Sequence, residues 1–211
     1  MVGEKRPRGR PKDDAKRTAV LEAARTLFLS KGPDVTLDEV AATAGVAKVT
    51  LYANFTDKDG LIEEVIRRES NATILDDEFP AFKEAEISDA LLDFGLRYVK
   101  FINSRDLLGW DRLIASLSGR ADVAKRFFDM GPGRAQRLLT ELIAHAAKRG
   151  ELNVADADRA ADELTGLWLG FVNLEIKLGV RAPLTIEEIE QRVVRGVSIF
   201  LAIYETERQR D

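Results

Sequence analysis

Apolar residues recur at intervals of three and four along nearly the whole chain, and strict alternation is rare. That period lines side chains along one face of a helix, so the pattern predicts an all-α protein. Pro33, Pro80, Pro132 and Pro183 fall where one apolar run ends and another begins, at positions where a helix stops or starts. Gly32, Gly150 and Gly179 mark further stops. Nine to ten helices are predicted, at residues 14–31, 37–44, 48–54, 58–78, 87–104, 107–118, 121–130, 133–149, 157–179 and 186–208. The first three are closely linked and the last two are long, which predicts a small N-terminal module followed by a helical bundle.

The module carries the clearest chemistry. Thr36-Leu37-Asp38-Glu39 has the form of a capping box, a hydroxyl at the helix start with an acid three residues on. Each of the two side chains can satisfy an orphan backbone N–H. Leu37, Val40, Ala41 and Ala44 then build one apolar face. Gly45 supplies the positive φ that ends the helix, and Val46 can plug a steep crossing. The next helix opens at Ala47 or Lys48, turns Leu51 and Phe55 inward, and leaves Lys48, Val49, Thr50, Tyr52 and Asn54 outward. This is a helix-turn-helix whose short second helix, small, polar and basic outside, suits a DNA major groove. Lys48 can reach guanine or phosphate, Thr50 a base edge or a thymine methyl, and Tyr52 a phosphate. Thr36 belongs to the same set. Thr56 or Asp57 caps the fourth helix, and Lys58 stands in its first turn beside free N–H groups, a corner fit for phosphate. An αα-hairpin that merely packs has the same short helix, glycine and short helix.

The stretch from Lys16 to Ile66 resembles the DNA-binding domain of TetR-type regulators. Ala23-Ala24, Leu27-Phe28 and Gly32 match first, followed by Thr36 to Ala41, Ala44-Gly45-Val46, Thr50-Leu51-Tyr52, Phe55, Lys58 and Leu61. About a quarter of the chain is covered. Departures lie at Ala47, where Ser or Thr is usual, at Val49, where Gly is common, and at Ala53-Asn54, where an aromatic and His often stand. They bear on which operator is read, not on the fold. Residues from about 106 to 179 look more loosely like the C-terminal domain of AefR-like members, through Gly131-Pro132-Gly133-Arg134 and Arg149-Gly150-Glu151-Leu152. The resemblance divides the chain into a basic flexible tail (1–12), a helix-turn-helix domain (13–58) and a ligand-binding and dimerisation domain (59–211). It implies a repressor released from a palindromic operator by a small apolar or amphipathic effector. A regulator controlled by a protein partner, or responsive to no ligand, is the alternative.

The tail sequence Pro7-Arg8-Gly9-Arg10-Pro11-Lys12 matches an AT-hook core. In that reading Gly9 lets the backbone approach the minor-groove floor, and Arg8 and Arg10 lie along it where A·T tracts are most negative. A generic basic tail adding only counterion release is the plainer reading. Charge is distributed accordingly. Residues 1–58 hold 11 basic against 8 acidic side chains, while residues 59–211 hold 21 against 28, so the overall net charge of −4 hides a basic end on an acidic body. Such a split is expected when one end alone meets phosphate.

Cysteine is absent, which excludes disulfides and thiolate metal sites and fits a cytoplasmic protein. Apolar runs are far shorter than the roughly 18 residues of a spanning helix, so no membrane partner is expected. The lone histidine, His145, rules out two-histidine metal sites and most catalytic triads. No enzyme, metal or cofactor is predicted, and the partners are double-stranded DNA, an unidentified small-molecule effector and a second copy of the chain.

The resemblance places the pocket between the fourth helix and the bundle, and the dimer contact on the last two helices. Phe94, Tyr98, Phe101, Trp110, Phe128, Trp168, Phe171 and Asn173 are the pocket candidates. Apolar stripes nominate Leu167, Phe171, Ile189, Val193, Val197, Leu201 and Tyr204 for the interface, where two helices from each chain would make a four-helix bundle.

Overall fold

The structure, a computed structural model, describes residues 10–71, 78–104, 109–110, 113 and 121–206. Among them run eleven α-helices. They are α1 (Arg10–Lys31), α2 (Leu37–Ala44), α3 (Lys48–Asn54), α4 (Lys58–Asn71), α5 (Phe79–Glu84), α6 (Ile87–Ser104), α7 (Ala121–Met130), α8 (Pro132–Lys148), α9 (Ala157–Leu169), α10 (Val172–Lys177) and α11 (Ile186–Tyr204). The protein is all-α, as its periodicity predicts.

The chain forms two compact units, residues 1–67 with 108–127, and residues 68–107 with 128–211. The boundary expected at 58 falls instead at 67, inside α4. Burial explains the difference. One long and two short helices have little core of their own, and the first unit gains Leu61, Ile62, Val65 and Ile66 from α4, all of them buried. Trp110 and Leu113, from the middle of the chain, are buried as well. In this unit α1 packs on α2 and α3 through buried Val20, Ala24, Phe28, Val40, Ala41 and Leu51. α1 starts at Arg10, so the last residues of the expected tail are helical.

In the second unit α6, α8, α9 and α11 pack together, with α5 against α6 and α8. Trp168 is the largest fully buried side chain. Its ring stacks on Phe94, 6.3 Å between centroids and 21° between planes. Two glycines make room for it. A Cβ on Gly95 of α6 would lie 2.8 Å from the indole, and one on Gly196 of α11 would lie 2.7 Å from it, closer than carbon atoms approach. Ile189, Val193, Val197 and Phe200 of α11 face the same core.

The helix expected at 157–179 is broken. Gly170 adopts φ +50° and ψ −159°, ending α9 and letting α10 start after Phe171. Arg192 of α11 donates from Nε to the Trp168 carbonyl at 2.5 Å and from Nη2 to that of Leu169 at 3.2 Å. A cation thus meets the free carbonyls at the negative end of α9. Asn103, at the end of α6, clasps the loop before α11 through its amide, donating to the Leu184 carbonyl at 2.9 Å and accepting from the Leu184 N–H at 2.8 Å. α11 stops at Tyr204, short of the expected 208. There Asn153 N–H donates to the Tyr204 carbonyl at 2.7 Å and Thr206 N–H to that of Glu151 at 3.1 Å, pairing Leu152 with Glu205 as an isolated antiparallel bridge.

Candidate nucleic-acid interface

Local chemistry fixes the two helices of the turn. Thr36 is the N-cap of α2, its hydroxyl accepting from Glu39 N–H at 3.2 Å while the Glu39 carboxylate accepts from Thr36 N–H at 2.8 Å. The hydroxyl proton of Thr36 also goes to Glu39, at 3.1 Å. Thr36 is therefore engaged in the cap, and its one donor hydrogen is used there instead of facing a phosphate. Those bonds, the backbone N–H of Thr36 first and then Lys31 (3.0 Å), hold the Glu39 carboxyl at a pKa of about 2 against an ordinary 4.5.

Gly45 ends α2 at φ +65° and ψ 31°, the left-handed region that disfavours side chains. Val46 N–H then reaches back to the Ala41 carbonyl at 3.1 Å, the closing bond of a Schellman turn. Ala47 precedes α3 with no side-chain cap, as its departure from the family pattern implies.

On α3, Leu51 is wholly buried and anchors the helix against the first unit's core. The outer face carries Lys48, Val49 (75% exposed) and Tyr52 (53% exposed), with Thr50 half-buried. Asn54 folds back, donating to the Thr50 carbonyl at 2.8 Å, which leaves one amide hydrogen for other contacts. Lys48 turns across to α2, its ammonium 2.5 Å from Asp38 Oδ2. Sequence reasoning missed Asp38, because a ten-residue separation across a turn leaves no periodic trace. Asp57 caps α4, accepting from Gly60 N–H at 2.7 Å, and Lys58 beside it is half-buried. Arg17 of α1 stacks on Phe55, 5.6 Å from its centroid, and pairs with Glu64. Arg10 is the first residue of α1, and Arg8 lies outside the described residues.

The pocket candidates are not brought together. Phe94 and Trp168 are core side chains packed on each other, and Trp110 belongs to the first unit. Tyr98 and Phe101 are half-buried on α6. Phe128 is exposed and lies against Gly133, and Phe171 is 74% exposed at the start of α10. Asn173 lines a cavity of about 20 Å³ with Val99, Asn103 and Trp168, room for a water and no more.

The dimer candidates divide as well. Ile189, Val193 and Val197 are buried inside their own chain, so they form no free interface, and Leu201 and Tyr204 pack half-buried at the edge of that core. Leu167 is half-buried too. The large apolar residues that the segment from α9 to α11 leaves exposed are Phe171, Leu174, Leu178, Val180, Ile186, Val194 and Ile203. α11 carries two apolar stripes, and the bundle takes the one that the sequence reading assigned to a partner.

A capped helix, a left-handed glycine and a second short helix with an exposed face form a helix-turn-helix, the arrangement that DNA-binding proteins of this kind use. Comparison with known proteins fixes the family. Residues 20–65 match the model of bacterial regulatory proteins of the tetR family, and residues 89–206 match that of the AefR-like transcriptional repressor C-terminal domain. The HTH-type transcriptional regulator YdeS of Bacillus subtilis (strain 168) is 30% identical over 154 residues, 70% of this chain and 74% of that protein. A TetR-family regulator from Mesorhizobium loti superposes with a TM-score of 0.75 at 26% identity, covering 92% of this chain and 99% of that one. The flavonoid-responsive regulator FrrA superposes at 0.69 with 30% identity, over 92% and 100% of the two chains. The chain belongs to the TetR family and is a DNA-binding transcriptional regulator. No helix among the described residues is long and apolar enough to cross a membrane.

Proposed function

We propose a homodimeric repressor in which each α3 reads one half of a palindromic operator and a small apolar or amphipathic effector releases it. The observation that carries the DNA part is the outer face of α3, where Lys48, Val49, Thr50 and Tyr52 stand around a helix anchored by one buried leucine. Two heads on one symmetric dimer suit half-sites about 34–36 Å apart. The exposed apolar residues of the segment from α9 to α11, Phe171, Leu174, Leu178, Val180, Ile186, Val194 and Ile203, are the surface assigned to the second chain.

An effector reading is supported by an open groove of about 420 Å³ between α5 and α6. Ala81, Phe82, Ala85 and Ala90 line its apolar part, and Glu78, Asp93 and Arg97 its polar edge. Arg97 holds both carboxylates, Asp93 at 3.0 Å and Glu78 at 2.9 Å, and stacks on Phe82. That volume falls in the range of small-molecule sites. The flavonoid responsiveness of FrrA makes planar aromatic compounds the first effectors to try.

The test is enrichment of a random duplex pool on the protein, followed by effector screening on the enriched duplex. Enriched sequences should be two-fold symmetric, and Lys48→Gln should weaken binding to the enriched duplex by roughly tenfold, the loss of a base-edge contact. Asymmetric enriched sequences, or no change with Lys48→Gln, would overturn the proposed interface. An effector that binds without altering DNA affinity would overturn the release mechanism.

A further inference from the structure

Asp38 and Lys48 are both exposed, and they face each other across the turn at 2.5 Å. Asp38 sits in the first turn of α2, where a negative charge is favoured by the helix dipole. Lys48 is the first residue of α3, where a positive charge is disfavoured by the same effect. Its position does nothing for the stability of α3, and an exposed ion pair adds little to the fold. The pair therefore has its consequence at the surface it occupies. A carboxylate beside the DNA-reading helix repels phosphate unless it is neutralised, and a free lysine there would attract any phosphate. Held together they cancel that sequence-blind attraction, and they confine a side chain that is otherwise flexible. The bond also raises the Lys48 pKa, through the hydrogen bond to Asp38 and its charge. One of the three ammonium hydrogens lies on Asp38, leaving two for acceptors such as guanine O6 and N7.

We propose that Asp38 is a positioning residue for DNA reading: it withholds Lys48 from indiscriminate phosphate contact and aims it at a base edge. This rests on α3 being the DNA-reading helix, as proposed above. Without Asp38, Lys48 becomes a free phosphate ligand, so binding to arbitrary DNA tightens while preference for the cognate site falls.

Asp38→Asn, Lys48→Gln and the double variant, in the full chain, are titrated against two duplexes of about 30 base pairs over ~50 to ~200 mM salt. One duplex is of mixed sequence, and the other is enriched on the wild-type protein from a random pool. Asp38→Asn should steepen the salt slope on mixed-sequence DNA by about 0.9, an extra loss of roughly threefold across that range. The ratio of affinities for the two duplexes should fall. In the Lys48→Gln background the same substitution should leave both quantities unchanged. Equal effects of Asp38→Asn in both backgrounds would mean a removed negative charge and nothing more, and would overturn the proposal, as would no effect in either. If Lys48→Gln alone changes neither duplex, the assignment of α3 fails and takes this inference with it. A weakening by Lys48→Gln with Asp38→Asn silent overturns this inference alone.

Discussion

The helices α2 and α11 start identically and end in opposite circumstances. Each opens on a threonine capping box: Thr36 with Glu39 at 3.2 and 2.8 Å, and Thr185 with Glu188 at 3.2 and 2.9 Å. Each glutamate is also held by a basic side chain, Lys31 at 3.0 Å and Arg181 at 2.8 Å. Beyond that point α2 serves a surface, supporting an α3 of which a single residue is buried, while α11 feeds Ile189, Val193, Val197 and Phe200 into a bundle core. The same local device can set a helix in motion for either purpose. What the helix then does is decided by the partners it meets in space.

The sharpest way to break the comparison is to add one methyl group on each side of it. Gly196→Ala puts a carbon 2.7 Å from the Trp168 ring and should lower stability in urea denaturation by roughly 1–3 kcal/mol. Gly45→Ala meets open space, and its strain is only that of φ +65°, roughly 1–2 kcal/mol. A Gly196→Ala protein as stable as wild type would show that the bundle yields where we describe it as close-packed.

Smaller effects should follow from the caps themselves. Thr36→Ala and Thr185→Ala should each cost about 1 kcal/mol. Binding to the enriched duplex, measured at a temperature where both variants are folded, separates them: Thr36→Ala should weaken it and Thr185→Ala should not. Equal effects on binding would place α11 closer to DNA reading than the comparison allows.

The smallest signal lies in acid. The Glu39 pKa is depressed to about 2, so its contribution to the α2 cap is fully present above the ordinary value of 4.5. It is lost as pH falls through about 2. A carboxyl carbon NMR titration should find Glu39 ionised at pH 3. A midpoint near 4.5 would mean that the box at α2 is open in solution.

The first unit was legible because its signals are local. A capping box, a left-handed glycine and an inward Leu51–Phe55 pair all lie within twenty residues, and the boundaries of α2 and α3 follow from them. The second unit was legible only as helices. Periodicity shows that Val193 and Val197 are apolar, yet it cannot tell a stripe that meets its own bundle from one that meets another chain. The break at Gly170 was missed because the apolar pattern continues through it, and what stabilises the break is a guanidinium twenty-two residues later. α5 was missed because six residues are too few to display a period. Asp38 and Asn103 were missed for a related reason: each matters through one partner across a turn or a loop.

The short pairing of Leu152 with Glu205 ties the end of α11 to the start of the segment that leads into α9. Those few bonds turn everything between them, three helices and two connections, into a closed ring of chain. Fraying at the end of α11 must first break that closure, and cutting the chain after Ala202, which also removes the half-buried Tyr204, should speed amide exchange first at residues 151–153 and at the end of α11.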